Sequence, residues 1–70
     1  MPELNVLAKK VKVYRDILGK SQFEIAAEIG ISVEELSLIE RKAANPRLST
    51  IQKIAAHMGI TVAELLEIDE

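Results

Sequence analysis

Three short carboxylate-hydroxyl spacings stand out in this chain: Ser21 with Glu24, Ser32 with Glu35, and Thr61 with Glu64. A hydroxyl with a carboxylate three residues on does its work locally, in the first turn of a helix. The hydroxyl accepts from a free backbone amide, and the carboxylate reaches back to the amide of the hydroxyl residue. These are capping boxes rather than catalytic pairs. The single histidine, His57, has no accompanying nucleophile or ligand cluster, and reads as a capping or surface residue. No glycine-rich phosphate loop is present. The absence of cysteine removes a disulfide framework and a thiolate metal site alike, and is compatible with a cytoplasmic setting. The residue chemistry therefore points away from an enzyme and requires neither cofactor nor metal.

The caps must sit on helices, and the rest of the sequence supplies them. Gly19, Gly30 and Gly59 each precede one of the three hydroxyls by two residues, the order of a helix stop followed by a helix start. A fourth start is expected at Ser49 with Gln52, after Asn45-Pro46. Apolar residues recur at helical spacing along Leu4, Leu7, Val11, Tyr14 and Leu18. They recur again at Ile25 with Ile29, Leu36 with Ile39, and Ile51, Ile54, Ala55 with Met58. Five helices follow, at 4–18, 22–29, 33–42, 50–58 and 62–67. Ile31 with Leu36 and Ile60 with Leu65 have the spacing of hydrophobic staples. The similar segments 30–36 and 59–65 are one capping solution used twice rather than a structural repeat.

Seventy residues, 49% hydrophobic and 29% charged, describe one all-α domain spanning 1–70, with a small core. No run approaches the roughly 18 apolar residues of a membrane span. The net charge of −2 is low for a nucleic-acid binder, but it is unevenly spread. Residues 1–20 carry +3, 21–40 carry −5, 41–60 carry +4 and 61–70 carry −4.

The short second helix, the three-residue connection to the third, and Ala26 at the expected crossing have helix-turn-helix spacing. The series Ser21–Ala26, Gly30–Ser32, Leu36–Arg41, Asn45–Leu48, Ile54-Ala55 and Gly59-Ile60 closely resembles the phage repressor and Cro family across nearly the whole chain. The resemblance implies a compact five-helix bundle, similar to the lambda repressor domain, with helices two and three forming the helix-turn-helix. It also implies a transcriptional regulator, a repressor by analogy, that places helix three in the major groove of double-stranded DNA.

By the same resemblance, Gln22 bonds a backbone phosphate, Arg15 and Glu40 form a structural ion pair, and Val33, Glu34, Ser37 and Leu38 face the bases. That reading face is unusual, because many relatives carry Gln, Arg, Ser or Asn there. Glu34 has the chemistry to accept from cytosine N4, Val33 or Leu38 to touch a thymine methyl, and Ser37 to bond several base edges. Glu35 is expected to turn back into its capping box. Arg41, Lys42 and Arg47, with Lys12 or its neighbours Lys9 and Lys10, would clamp phosphates on either side of the acidic centre. Lys42-Ala43-Ala44 stands where the family often has glycine, so helix three is expected to run on slightly. The apolar tail Val62, Leu65, Leu66 and Ile68 suggests a homodimer contact, and with it a pseudo-palindromic site. An alternative keeps the fold as a protein-protein interaction module, with Val33 and Leu38 as an apolar contact ringed by acids. A regulator controlled by a partner chain reads the same way.

Overall fold

The computed structural model describes residues 2–43 and 45–68. Their elements are all helical: α1 (Pro2–Leu18), α2 (Gln22–Ile29), α3 (Val33–Glu40), α4 (Leu48–Met58) and α5 (Val62–Leu66). None of these helices is long and apolar enough to cross a membrane. α1 packs against α3 and α5, α2 against α3 and α4, and α4 against α5, so the bundle closes around one core. Leu7, Val11, Ile25, Ala26, Ile29, Leu36, Ile39, Ile54, Ala55 and Leu65 fill that core. Tyr14, Ile31, Ile51, Met58 and Ile60 pack on its margin, but Leu18, expected inside, is 42% exposed because α1 ends there and turns away.

Helix starts follow local chemistry at three of the four expected places. Ser21 with Glu24 and Thr61 with Glu64 form complete capping boxes. Ser32 accepts from the Glu35 amide, but the Glu35 carboxylate does not return to it. Instead the nearly buried Thr50 hydroxyl donates to Glu35 Oε2 at 2.7 Å. The tertiary bond takes the carboxylate because a buried hydroxyl needs a partner, whereas the Ser32 amide is at the surface. The expected start at Ser49 is wrong: α4 begins at Leu48 with Arg47 as its N-cap, and no side chain caps it.

All five helices end alike. After each, a residue at 19, 30, 42, 59 or 67 takes a positive φ, and the next amide bonds back to the fifth carbonyl before it. This is the bond pattern of the Schellman motif. Glycine fits it at Gly30 and Gly59, but Lys42 (φ 59°) and Glu67 (φ 55°) adopt the same left-handed conformation with a Cβ. α3 therefore stops at Glu40, and the expected extension to residue 42 does not occur. The Ala43 amide reaches the Leu38 carbonyl at 2.9 Å and turns the chain out of the helix.

The expected dimer face on α5 also needs correction. Leu65 is fully buried, and Val62 and Leu66 lie half-buried against the same core; Ile68 alone of the four is exposed. A five-residue helix wedged between α1 and α4 turns most of its apolar surface inward.

Candidate nucleic-acid interface

The turn between α2 and α3 is held at both ends before any ligand is considered. Gly30 closes α2 with its amide on the Ala26 carbonyl at 2.9 Å, and the Ile31 amide reaches the same carbonyl at 3.0 Å. Ser32 then opens α3. Buried Ala26 and Leu36 let the two helices approach, and the Thr50–Glu35 bond ties the start of α3 to the start of α4. The orientation of α3 is thus set by short connections and buried side chains.

At the other end of α3, Glu40 is the junction of three helices. Its carboxylate accepts from Arg15 Nε and Nη2 of α1, both at 3.0 Å, and from Gln22 Nε2 of α2 at 3.2 Å. Arg15 Nη1 also donates to the Lys20 carbonyl at 3.1 Å, closing the α1–α2 turn. The pair is largely shielded, with the Arg15 side chain 17% and the Glu40 side chain 5% exposed. The hydrogen bonds it donates to Glu40 hold the Arg15 guanidinium still further above its already high range, against the opposing effect of burial. The bidentate geometry leaves no hydrogen-bonding atom of this cluster buried without a partner.

Six of the side chains singled out in the sequence meet on one surface. Gln22, Val33, Glu34, Ser37, Leu38 and Arg41 line an open concavity of about 370 Å³ beside α3. Val33 and Glu34 are exposed, whereas Ser37 and Leu38 are half-covered at the floor. Gln22 lies there because its amide is anchored on Glu40, which leaves its carbonyl oxygen and one amide hydrogen for a ligand. Arg41 borders the concavity just past the α3 terminus. Lys42 and Arg47, exposed on the following loop, and Lys12, exposed on α1, lie outside it. The arrangement offers a mixed apolar and hydrogen-bonding surface with cations beside it. Such a surface is suited to reading edges and methyl groups in a groove, not to acid-base chemistry. Among the described residues, no group of three or more His, Asp or Glu side chains is placed to hold a metal ion.

Two supporting contacts were not visible from spacing. One is Thr50–Glu35; its hint in the sequence is that Thr50 sits one turn before Ile54, on the inward stripe of α4. The other centres on His57, which is no free surface residue. Its Nδ1 lies 2.7 Å from the Tyr14 hydroxyl, its carbonyl accepts from that hydroxyl at 3.0 Å, and its Nε2 is 3.2 Å from Glu28 Oε1. Lys20 pairs with the other Glu28 oxygen at 2.5 Å. Through these contacts the His57 ring and carbonyl join α1, α2 and α4 behind the α2–α3 unit.

A helix-turn-helix family model matches residues 11–65. A hypothetical transcription factor of Neisseria meningitidis serogroup B is 39% identical over 61 residues, 87% of this chain and 58% of its own length. The HTH-type transcriptional regulator DdrOP3 of Deinococcus deserti is 41% identical over 61 residues, 87% of this chain and 47% of its own length. The chain thus spans about half the length of these curated relatives. The crystal structure of the hypothetical transcription factor NHTF from Neisseria superposes with a TM-score of 0.77 at 39% identity, covering 87% of this chain and 70% of that chain. Because the matched region runs from within α1 to within α5 and takes in the whole α2–turn–α3 unit, this chain belongs to the helix-turn-helix family.

Proposed function

We propose that this chain binds double-stranded DNA in a sequence-specific manner as a cytoplasmic transcriptional regulator, acting as a repressor rather than as an enzyme. α3 enters the major groove, with Val33, Glu34, Ser37 and Leu38 toward the bases. Gln22, Arg41, Lys42, Arg47 and Lys12 meet phosphates on either side. The observation that carries this reading is the concavity that joins Gln22 of α2 to the exposed face of α3 and to Arg41. The relatives, named as a transcription factor and a transcriptional regulator, agree with it.

The loop after α3 adds a physical argument. Lys42 occupies a left-handed position where glycine is easier, and Arg47 occupies an N-cap where Ser or Asp would bond a free amide. Both choices are locally costly, and both place a cation. Violations of local preference of this kind are expected where function needs the residue.

The test is selection from a random duplex pool, repeated over a salt series. A regulator enriches a pseudo-palindromic site with half-sites about one helical turn apart, as a homodimer requires. Each phosphate contact adds about −0.9 to the slope of log affinity against log salt. The second reading, an interaction module without DNA binding, is favoured by exposed Val33 beside Glu34 and by the −5 charge of residues 21–40. No enrichment at low salt would decide for it.

A further inference from the structure

We propose that the outer face of α1 pairs antiparallel with α1 of a second copy of this chain, around a two-fold axis near residues 11 and 12. Val6, Lys10, Val13 and Ile17 follow one another at spacings of four, three and four residues, the repeat of a helix-pairing seam. The structure places all four along one surface concavity of about 390 Å³, walled on its far side by Met58 and Glu67. α1 already buries Leu7 and Val11 in the core, so it is apolar on two faces and covered on one. On the uncovered face Ile17 is 77% and Val13 46% exposed. Helix propensity does not account for them, since β-branched residues are poorer helix formers than the alternatives a solvent face would take.

Charge selects the occupant and its direction. In the antiparallel alignment Val6 lies opposite the partner's Ile17, and Lys10 lies opposite the partner's Val13. The Lys10 stem can cover that valine, because its ammonium is already drawn to the seam edge by the Glu64 carbonyl at 2.6 Å and Glu67 Oε2 at 3.2 Å. The flanking positions hold Lys9 and Asp16, both exposed. The same register sets Lys9 beside the partner's Asp16, and the two-fold repeats that pair on the other side. A parallel alignment would instead stack Lys10 on the partner's Lys10 and leave Lys9 and Asp16 unmatched. The seam is therefore complementary to itself in one direction. Arg15, two positions from both Val13 and Ile17, projects from the opposite side of α1 toward Glu40, so this contact leaves the α3 surface open.

Sedimentation equilibrium across a concentration series tests the proposal without DNA, with circular dichroism verifying that each variant is folded. The wild type is expected to rise in weight-average mass from the 7.7 kDa chain toward twice that value. Ile17→Lys, at a solvent-exposed position, should weaken association by at least about tenfold. Lys9→Asp and Asp16→Lys should each weaken it by roughly three- to tenfold, and the double reversal should recover most of the loss. A wild type that stays monomeric at millimolar concentration overturns the proposal, as does a dimer indifferent to Ile17→Lys. A double reversal no better than the single changes overturns the antiparallel register.

Discussion

Glu40 joins three helices through one shielded carboxylate, and its removal would strand the Arg15 guanidinium and release the Gln22 amide together. Deleting one member of such a pair costs about 3 kcal/mol. Glu40→Ala should then lower the melting temperature by roughly 12–24 °C for a domain of this size, measured by thermal unfolding. Gln22→Ala, which removes only the third hydrogen bond, should shift the melt far less and show its effect in DNA affinity. Lys42 and Arg47 carry the opposite balance. Lys42→Gly relieves a left-handed Cβ and should raise stability by about 0.5–1 kcal/mol, after allowance for the freer unfolded chain. Arg47→Ser supplies the missing cap and should raise it by about 1 kcal/mol. If these cations meet phosphates, each change should also reduce the salt slope of binding by about 0.9. Stabilised variants with an unaltered salt slope would remove both residues from the clamp.

Among the elements, α1 and α4 each begin two residues earlier than expected, at Pro2 and Leu48, and at α4 a local capping signal misleads. Ser49 has the right residue three positions later and a proline upstream, yet it lies inside the helix and caps nothing. Ser49→Ala should change stability by less than about 0.5 kcal/mol, whereas Ser32→Ala should cost about 1 kcal/mol, both measured by denaturant unfolding. α2 and α5 were legible to within a residue because a glycine stop, a hydroxyl cap and a returning glutamate all agree at each junction. The end of α3 falls two residues short of expectation and that of α5 one, since Lys42 and Glu67 make the turn that elsewhere in this chain is made by glycine. The backbone needs a positive φ at those points, and side-chain type records that need only when glycine meets it.

For the whole molecule, acid stability follows from a small set of carboxylates. Glu24 and Glu64 are held below the usual range chiefly by the amides they cap, and Glu28 chiefly by its hydrogen bond from Lys20. A carboxyl whose folded pKa is depressed contributes stability above its unfolded pKa and loses it as pH falls through the folded value. Unfolding free energy should therefore be flat near neutrality and decline on acidification below the ordinary carboxylate range. Glu24→Ala combined with Glu64→Ala should make that decline shallower. Denaturant titrations from pH 7 to pH 2 measure it, and an acid limb unchanged in the double variant would assign the loss to other groups.

The sequence by itself determined what acts within a turn or two: five helices, three glycine stops, the hydroxyl caps, the inward stripes, and a short α2–turn–α3 unit. The same local order carried the family resemblance, and with it the residues that gather beside α3. Tertiary structure decided where long-range partners compete for a group. Glu35 leaves its cap for Thr50, His57 bridges Tyr14 and Glu28, and Leu65 turns into the core. Periodicity states that a face is apolar, but not which neighbour covers it. A side chain's final partner depends on the packing angle between helices, which no spacing along the chain encodes.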